Sequence, residues 1–222
     1  MQSYWERETL RHFDLIVVGG GIVGHSTALF YAESHPNARI AILERGLFPE
    51  GASTKNAGFA CFGSIAELEH DLESLGAQRT VELVLKRFSG LQLLRQTLGD
   101  QAIDYHEVGG YELCFEAPDL ERINLFNDLL EPALGARPYS LVKNNGFGFS
   151  DRVHSMIKNA LEGTIDTGKM MAALQRKVAQ LGVQTFTQSA VETIEDGPHG
   201  KLVWVESASG PVELLAQQVA LC

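Results

Sequence analysis

The pattern of hydrophobic positions at the start of the chain predicts one β–α–β unit. Residues 13–18 (FDLIVV) form a short, apolar, β-branched run, which is typical of a strand buried on both faces. A helical stretch covers residues 22–35, before Pro36, and a second β-branched run at residues 39–43 ends before Glu44. A strand, a glycine turn, a helix and a strand within about 30 residues predict two parallel strands joined by a crossover helix.

A glycine-rich loop and several helices are predicted for the middle of the chain. Residues 46–64 are too rich in Gly, Ala, Ser and Asn for a regular element, and a loop of this length is usually functional or disordered. Apolar stripes at helical spacing indicate helices beyond it. The predicted elements are helices over residues 66–75, 77–98 and 119–134 and short strands over residues 103–106 and 111–115. Residues 137–163 have a mixed pattern that predicts no particular element.

The last part of the chain predicts a helix followed by an antiparallel meander. Asp166 is a good N-cap for a helix that ends at Leu181, and Gly182 is a typical C-terminal stop. The predicted strands cover residues 183–187, 190–195, 201–207 and 212–215, with a last strand-like run over 218–222. Turn sequences between the later strands favour an antiparallel arrangement. Together with the β–α–β unit, this pattern predicts the α/β fold class.

Charge and hydropathy exclude several classes of partner. The 222 residues include 18 Lys and Arg against 28 Asp and Glu, a net charge of −10 that repels nucleic acid and anionic lipid. No window approaches the roughly 18 unbroken apolar residues of a membrane helix. The first residues contain no apolar core of a secretory signal. We therefore expect a soluble, cytoplasmic protein without a nucleic-acid partner or a transmembrane segment.

The three cysteines give no indication of a metal site. Cys61, Cys114 and Cys222 form no CxxC pair and no cysteine–histidine set at zinc spacing, so no metal is expected. Cys61 and Cys114 have apolar sequence neighbours, which favours a small, buried hydrophobic position for both.

One motif carries chemistry. Gly19, Gly21 and Gly24 fit GxGxxG directly after the first predicted strand and at the start of the first long helix. Such glycines allow a tight turn, close approach of the backbone to a pyrophosphate, and close helix–sheet packing, and the free N–H groups of the helix then hold the phosphates. Glu44 ends the second strand, where a carboxylate accepts hydrogen bonds from ribose hydroxyls. The alternative is a glycine-rich turn that binds nothing. The second glycine-rich loop and the meander favour FAD over a nicotinamide cofactor.

Three segments of the sequence together resemble the FAD-dependent oxidoreductases of the D-amino-acid-oxidase type. These segments are DLIVVGGGIVGHSTALFYA with ILER, then GASTKNAGF, and later GTIDTGKMMAALQRKVAQLGVQTFTQSAVETIE. The resemblance covers both ends of the chain well and residues 65–160 only loosely. It implies a Rossmann-like FAD-binding domain, with FAD as the cofactor.

The resemblance also implies a role for individual residues. The pyrophosphate would be held by Gly19, Gly21 and Gly24 with the backbone of Ile22 and Val23, and Ser53 and Thr54 would lie near the phosphates. Glu44 would bind the adenosine ribose, Arg45 would lie on the adenine side, and Val191 would meet adenine through its backbone. Asn56, Ala57 and Gly58 would lie near the flavin ring. Ordinary turn capping is the alternative role for Ser53 and Thr54. His25 is expected to be a packing or solvated position rather than a base, and no catalytic residue is assigned.

The domain organisation and function follow from the same resemblance. Residues 1–64 and 152–222 would form a discontinuous FAD-binding domain, and residues 65–151 part of a substrate domain. The chain resembles the N-terminal part of a longer protein, so we expect it not to turn over substrate by itself. The implied reaction is oxidation of a C–N bond of a small-molecule amine or amino acid by hydride transfer to the flavin. The alternatives are C–OH oxidation of a glycerol-phosphate or 2-hydroxy-acid type, and a non-catalytic nucleotide-binding or assembly subunit. The substrate and the oligomeric state stay open.

Overall fold

The computed structural model describes residues 3–143, 146–207 and 210–222. The helices in chain order are α1 (Tyr4–Leu10), α2 (Ile22–Ser34), α3 (Ile65–Leu75), α4 (Ala77–Leu98), α5 (Asp100–Ile103), α6 (Leu120–Leu134) and α7 (Thr167–Gln180). The strands are β1 (His12–Val18), β2 (Ile40–Leu43), β3 (Phe59–Ala60), β4 (Gly110–Cys114), β5 (Tyr139–Val142), β6 (Ser155–Asn159), β7 (Gly163–Thr164), β8 (Gln184–Phe186), β9 (Val191–Gly197), β10 (Gly200–Val205) and β11 (Val212–Leu221).

The chain divides into two compact units. Met1–Asn56 and Thr167–Cys222 form the first, here called the sheet unit, and Ala57–Asp166 form the second, the middle unit. The division predicted from the sequence placed residues 57–64 and 152–166 with the cofactor domain. In the structure they belong to the middle unit, because β3 pairs with β7 there.

The sheet unit contains a six-stranded sheet of order β8-β2-β1-β11-β10-β9. β1 pairs in parallel with β2 and with β11, and β2 pairs in parallel with β8. β10 lies antiparallel between β9 and β11. The predicted α/β fold class, the β–α–β unit and the antiparallel meander are therefore confirmed.

The first two strands, β1 and β2, are interior strands of this sheet and are deeply buried. Leu15, Ile16 and Val17 of β1 are all buried, as are all four residues of β2. A continuous apolar run of this kind is stable only where both faces of a parallel sheet are covered. α2 packs against α7 as well as against β1 and β2.

The end of the meander differs from its prediction. The two runs predicted at residues 212–215 and 218–222 form one strand, β11. Its first half pairs antiparallel with β10 and its second half parallel with β1, and Leu215 and Ala216 have partners in both. No turn-forming residue separates the two runs, so the chain continues straight from one neighbour to the other.

The middle unit has its own core, between a three-stranded sheet of order β4-β6-β5 and the helices α3, α4 and α6. The buried residues of this core are Phe62, Ile65, Leu68, Val84, Ile123, Phe126, Leu130, Tyr139 and Ile157. Ser64 begins α3 with a reciprocal capping box, in which its side chain accepts from the N–H of Glu67 and the Glu67 carboxylate accepts from the N–H of Ser64. The three long helices and the strand predicted at 111–115 are confirmed to within one residue at each end.

Two local predictions are wrong. Residues 100–103 form the helix α5 and Asp104 adopts a left-handed conformation (φ 53°), so no strand runs over residues 103–106. Cys61 is exposed, whereas Cys114 is half-buried and packs against the middle-unit core. Cys61 continues the alternation of β3: Ala60 and Phe62 on either side of it are buried, and Cys61 faces outward.

None of the helices described has the length and hydropathy needed to cross a membrane. Within the same part of the chain, no cluster of three or more His, Cys, Asp or Glu side chains is arranged to hold a metal ion.

Candidate cofactor site

A cleft in the sheet unit lies where β1, β2 and β11 reach their carboxyl ends, the edge at which open α/β sheets bind ligands. Its volume is about 790 Å³, within the range of small-molecule sites. Residues from three parts of the chain line it: Val18, Gly19, Gly20, Gly21, Val23, Gly24, Leu43, Glu44, Arg45, Gly46, Pro49, Glu50, Gly51, Ser53, Lys55, Ser189, Ala190, Val191 and Cys222. Eight predicted cofactor residues are among them, namely Gly19, Gly21, Val23, Gly24, Glu44, Arg45, Ser53 and Val191.

The turn that follows β1 requires glycine at two positions. Gly19 has φ 108°, a conformation that residues with a side chain rarely adopt, and a Cβ there would overlap the carbonyl oxygen of Cys222. Gly24, one turn into α2, packs so closely on this turn that a Cβ would overlap the carbonyl oxygen of Gly19. The two glycines therefore bring the start of α2 against the end of β1.

The N-terminus of α2 faces the cleft and is joined to the second glycine-rich loop. Gly21 is the N-cap and has no side chain to cap the helix, but the N–H of Ile22 donates to Ser53 Oγ over 2.9 Å. A Cβ on Gly21 would lie 2.9 Å from the same hydroxyl oxygen. The loop at Ser53 therefore sits against the end of a helix whose first-turn N–H groups have no partner within the helix.

Glu44 is buried, with only 7% of its surface exposed, and it holds two turns at once. Its Oε2 accepts from the N–H of Gly20 over 2.8 Å and its Oε1 from the N–H of Gly46 over 2.8 Å. Two such charge-assisted bonds fix the carboxylate at the carboxyl end of β2. Each oxygen keeps a further lone pair, so the group can still accept from a hydroxyl in the cleft.

The other predicted residues do not line the cleft. Ile22 contributes only its backbone N–H, which donates to Ser53 Oγ. Thr54 Oγ1 donates to the carbonyl oxygen of Pro49, and Asn56 Nδ2 to that of Ala52, so both side chains hold the loop itself, as turn capping would. Ala57 and Gly58 belong to the middle unit, where the carbonyl oxygen of Gly58 accepts from the N–H of Ile165.

Sequence reasoning missed several residues of the cleft. Lys55 and Glu50 bring charge into it, and Ser189 and Ala190 extend the wall that Val191 was predicted to form. Lys55 lies inside the GASTKNAG segment, and its charge between two assigned neighbours was a usable signal. Glu50 and Ser189 carry no pattern that distinguishes them from ordinary loop residues.

His25 is a buried packing residue, one of the two positions expected for it. Its side chain is fully buried in α2, with Nδ1 3.2 Å from the carbonyl oxygen of Gly21, and Nε2 has no hydrogen-bond partner in the described parts of the chain. Burial lowers the pKa of His25 below its ordinary value, an effect partly opposed by the contact with the Gly21 carbonyl.

The lowered pKa predicts how stability changes with pH. Below about pH 6.5, His25 binds a proton more readily in the unfolded chain than in the folded chain. The free energy of unfolding therefore falls as the pH is lowered through this range. Urea denaturation at several pH values should show a smaller loss on acidification in His25→Gln than in the wild type. The variant of the exposed His199, His199→Gln, is the control and should keep the wild-type dependence. Equal pH dependence in His25→Gln and wild type would contradict the prediction.

Comparison with known proteins agrees with this geometry. Residues 14–222 match the family model described as FAD dependent oxidoreductase. The chain is 26% identical over 211 residues to glycine oxidase of Bacillus subtilis (strain 168), and the match covers 91% of this chain and 52% of the relative. The chain thus spans about half the length of such relatives.

Solved structures share the fold. Glycine oxidase from Geobacillus kaustophilus superposes with a TM-score of 0.65 at 20% identity, covering 96% of this chain and 55% of that one. L-amino acid deaminase from Proteus vulgaris superposes with a TM-score of 0.66 at 18% identity, covering 96% of this chain and 47% of that one. At these identities the likeness concerns architecture.

Proposed function

This chain belongs to the family of FAD-dependent oxidoreductases, and from that premise we propose that it binds FAD in the cleft of the sheet unit and that the whole protein oxidises a C–N bond of an amino acid or amine. The observation that carries the proposal is the meeting, in one cleft, of the Gly19–Gly24 turn, the N-terminus of α2 and the buried carboxylate of Glu44. FAD has a diphosphate and an adenosine ribose that match these features.

The residues that line the cleft match the chemical groups of the cofactor. Gly19 and Gly24 allow the start of α2 to pack against the end of β1, and Gly21 lines the cleft at this helix end without a side chain, which would let phosphate oxygens approach the backbone. Glu44 would accept from the adenosine ribose, since its position is already fixed by Gly20 and Gly46. Arg45 and Val191 line the same cleft and would border the adenine.

The chain's own contribution to the chemistry is binding and orientation. When bound, FAD supplies a hydride acceptor, and the carbon bearing a neutral amine is the donor, leaving an imine that water hydrolyses. The diphosphate would be held by the turn at Gly19, the N-terminus of α2 and the loop at Ser53. Its position would set the direction in which the flavin extends. Thr54 and Asn56 would act indirectly, by holding that loop in shape.

Amino acids are the substrate class that the relatives support. The Bacillus subtilis relative is a glycine oxidase by name, and the Proteus vulgaris structure is an L-amino acid deaminase. Both names describe chemistry at a carbon that bears nitrogen, which favours C–N over C–OH oxidation for this protein.

Two measurements test the proposal. In the first, the chain is incubated with a mixture of FAD and NAD, and unbound nucleotide is removed. The protein is then denatured, and the released nucleotide is identified by chromatography. We expect FAD. The flavin-loaded product of the complete gene is then mixed anaerobically with amino acids and with their 2-hydroxy analogues, such as glycine beside glycolate. We expect the absorbance of oxidised flavin to be lost with an amino acid or amine. Release of NAD would overturn the cofactor assignment, and reduction by hydroxy acids alone would overturn the C–N assignment.

A further inference from the structure

The cleft contains four charged side chains, two of each sign. Glu44 and Glu50 are acidic and Arg45 and Lys55 are basic. A diphosphate carries negative charge, so the two carboxylates repel it and a nearby cation would offset this repulsion. The positions of the two basic residues decide which one can do so.

Arg45 belongs to the ribose side of the cleft. It directly follows Glu44, whose carboxylate accepts from the N–H groups of Gly20 and Gly46 at the carboxyl end of β2. Arg45 therefore lies beside the acid proposed to bind the adenosine ribose.

Lys55 belongs to the loop that meets the N-terminus of α2. Ser53 Oγ accepts from the N–H of Ile22 over 2.9 Å, which fastens the loop to the first turn of the helix. The N–H groups of Thr54 and Lys55 both donate to the carbonyl oxygen of Gly51 over 3.3 Å, so Lys55 lies in the same closed turn. Lys55 is thus held in the loop by its own N–H, and the loop is held to the helix through Ser53.

The ammonium group of Lys55 is available for a ligand. Lys55 is exposed at the cleft, and across residues 3–143, 146–207 and 210–222 it forms no ion pair with a carboxylate. Three other lysines and arginines of the sheet unit are already paired: Arg11 with Glu6, Arg39 with Asp14, and Lys201 with Asp196.

We infer that Lys55 is the cation that neutralises the diphosphate of the bound cofactor, next to the N–H groups of α2. The inference rests on the proposed FAD site and adds to it a specific residue for one part of the ligand. Affinity for a nucleotide that carries a diphosphate depends on Lys55, whereas affinity for a nucleoside without phosphate does not. Because the side chain is exposed, the effect is moderate, about three- to tenfold in affinity, and it shrinks as salt is added.

The test uses two probes that differ only in the diphosphate. ADP and adenosine are titrated by calorimetry into the wild type, Lys55→Gln, Lys55→Arg and the control Lys86→Gln, which removes the same charge from the exposed side of α4. We expect Lys55→Gln to weaken ADP binding about three- to tenfold at low salt and to leave adenosine binding unchanged. Lys55→Arg should restore ADP binding, and Lys86→Gln should change neither ligand.

The outcomes separate this inference from the proposed function. Equal ADP affinity in Lys55→Gln and the wild type would overturn the role of Lys55 while leaving the FAD site intact. An equal loss for ADP and adenosine would also overturn it, because the residue would then act through the loop rather than on phosphate. If the wild type binds neither ADP nor FAD, the proposed cofactor site itself is wrong and the inference falls with it.

Discussion

Replacing Gly24 by alanine is expected to lower the free energy of unfolding by about 3 kcal/mol, which corresponds to a fall in melting temperature of about 6–12 °C. The reason is a backbone contact: the added Cβ would overlap the carbonyl oxygen of Gly19. A backbone atom cannot rotate away as a flexible side chain can, so α2 or the turn after β1 must move. Thermal and urea denaturation measure the effect.

Gly90 provides a matched control for this prediction. It is also a helical glycine, in α4, but its position is exposed and a Cβ there meets no atom within 4 Å. Gly90→Ala should therefore raise the free energy of unfolding by about 0.5–1 kcal/mol, the ordinary helix preference for alanine. Opposite signs at the two glycines are expected. A Gly24→Ala variant as stable as the wild type would show that the helix is not packed against the turn as described.

Replacing Gly21 by valine should weaken FAD binding by about a hundredfold or more, a loss of roughly 2.7 kcal/mol. The Cβ of the new residue would lie 2.9 Å from Ser53 Oγ, and the two methyl groups beyond it would fill the space in which a diphosphate must approach the backbone. Displacing Ser53 would also break its hydrogen bond with the N–H of Ile22. Titration of the chain with FAD, followed by flavin fluorescence, gives the affinity.

A second glycine of the same cleft separates this effect from a general loss of loop structure. Gly51 lines the cleft as well, but a Cβ on it meets nothing within 4 Å. Gly51→Ala should bind FAD about as tightly as the wild type. Normal FAD affinity in Gly21→Val would mean that the phosphates lie elsewhere.

The parts of the fold that could be predicted from the sequence are those governed by local periodicity. The apolar run of β1 and the apolar stripe along α4 are local signals, and both elements lie where these signals place them. The strand predicted near Ile103 failed for a local reason too, since a helical turn and the left-handed Asp104 fit the same residues. Short apolar runs do not distinguish strand from helix.

The contacts that assemble the site are long-range and were beyond such reasoning. Ser53 and Ile22 are 31 residues apart, and no periodicity relates a loop hydroxyl to a particular helix N–H. The GxGxxG turn and Glu44 were found because a strand, a turn and a helix surround them in sequence. Their FAD-binding roles stay predictions until the bound cofactor is identified.

The parallel pairing of β1 with β11 has a consequence for how the protein is made. It joins residue 12 to residue 215, so one side of the central strand stays unpaired until about 200 further residues have been synthesised. Contacts of such large sequence separation slow folding, and an open strand edge invites pairing with other nascent chains. The cleft has one wall from residues 18–55 and another from residues 189–222, and so it is completed only after the second of these segments has been synthesised. The complete cofactor site therefore cannot form before those residues have joined the sheet.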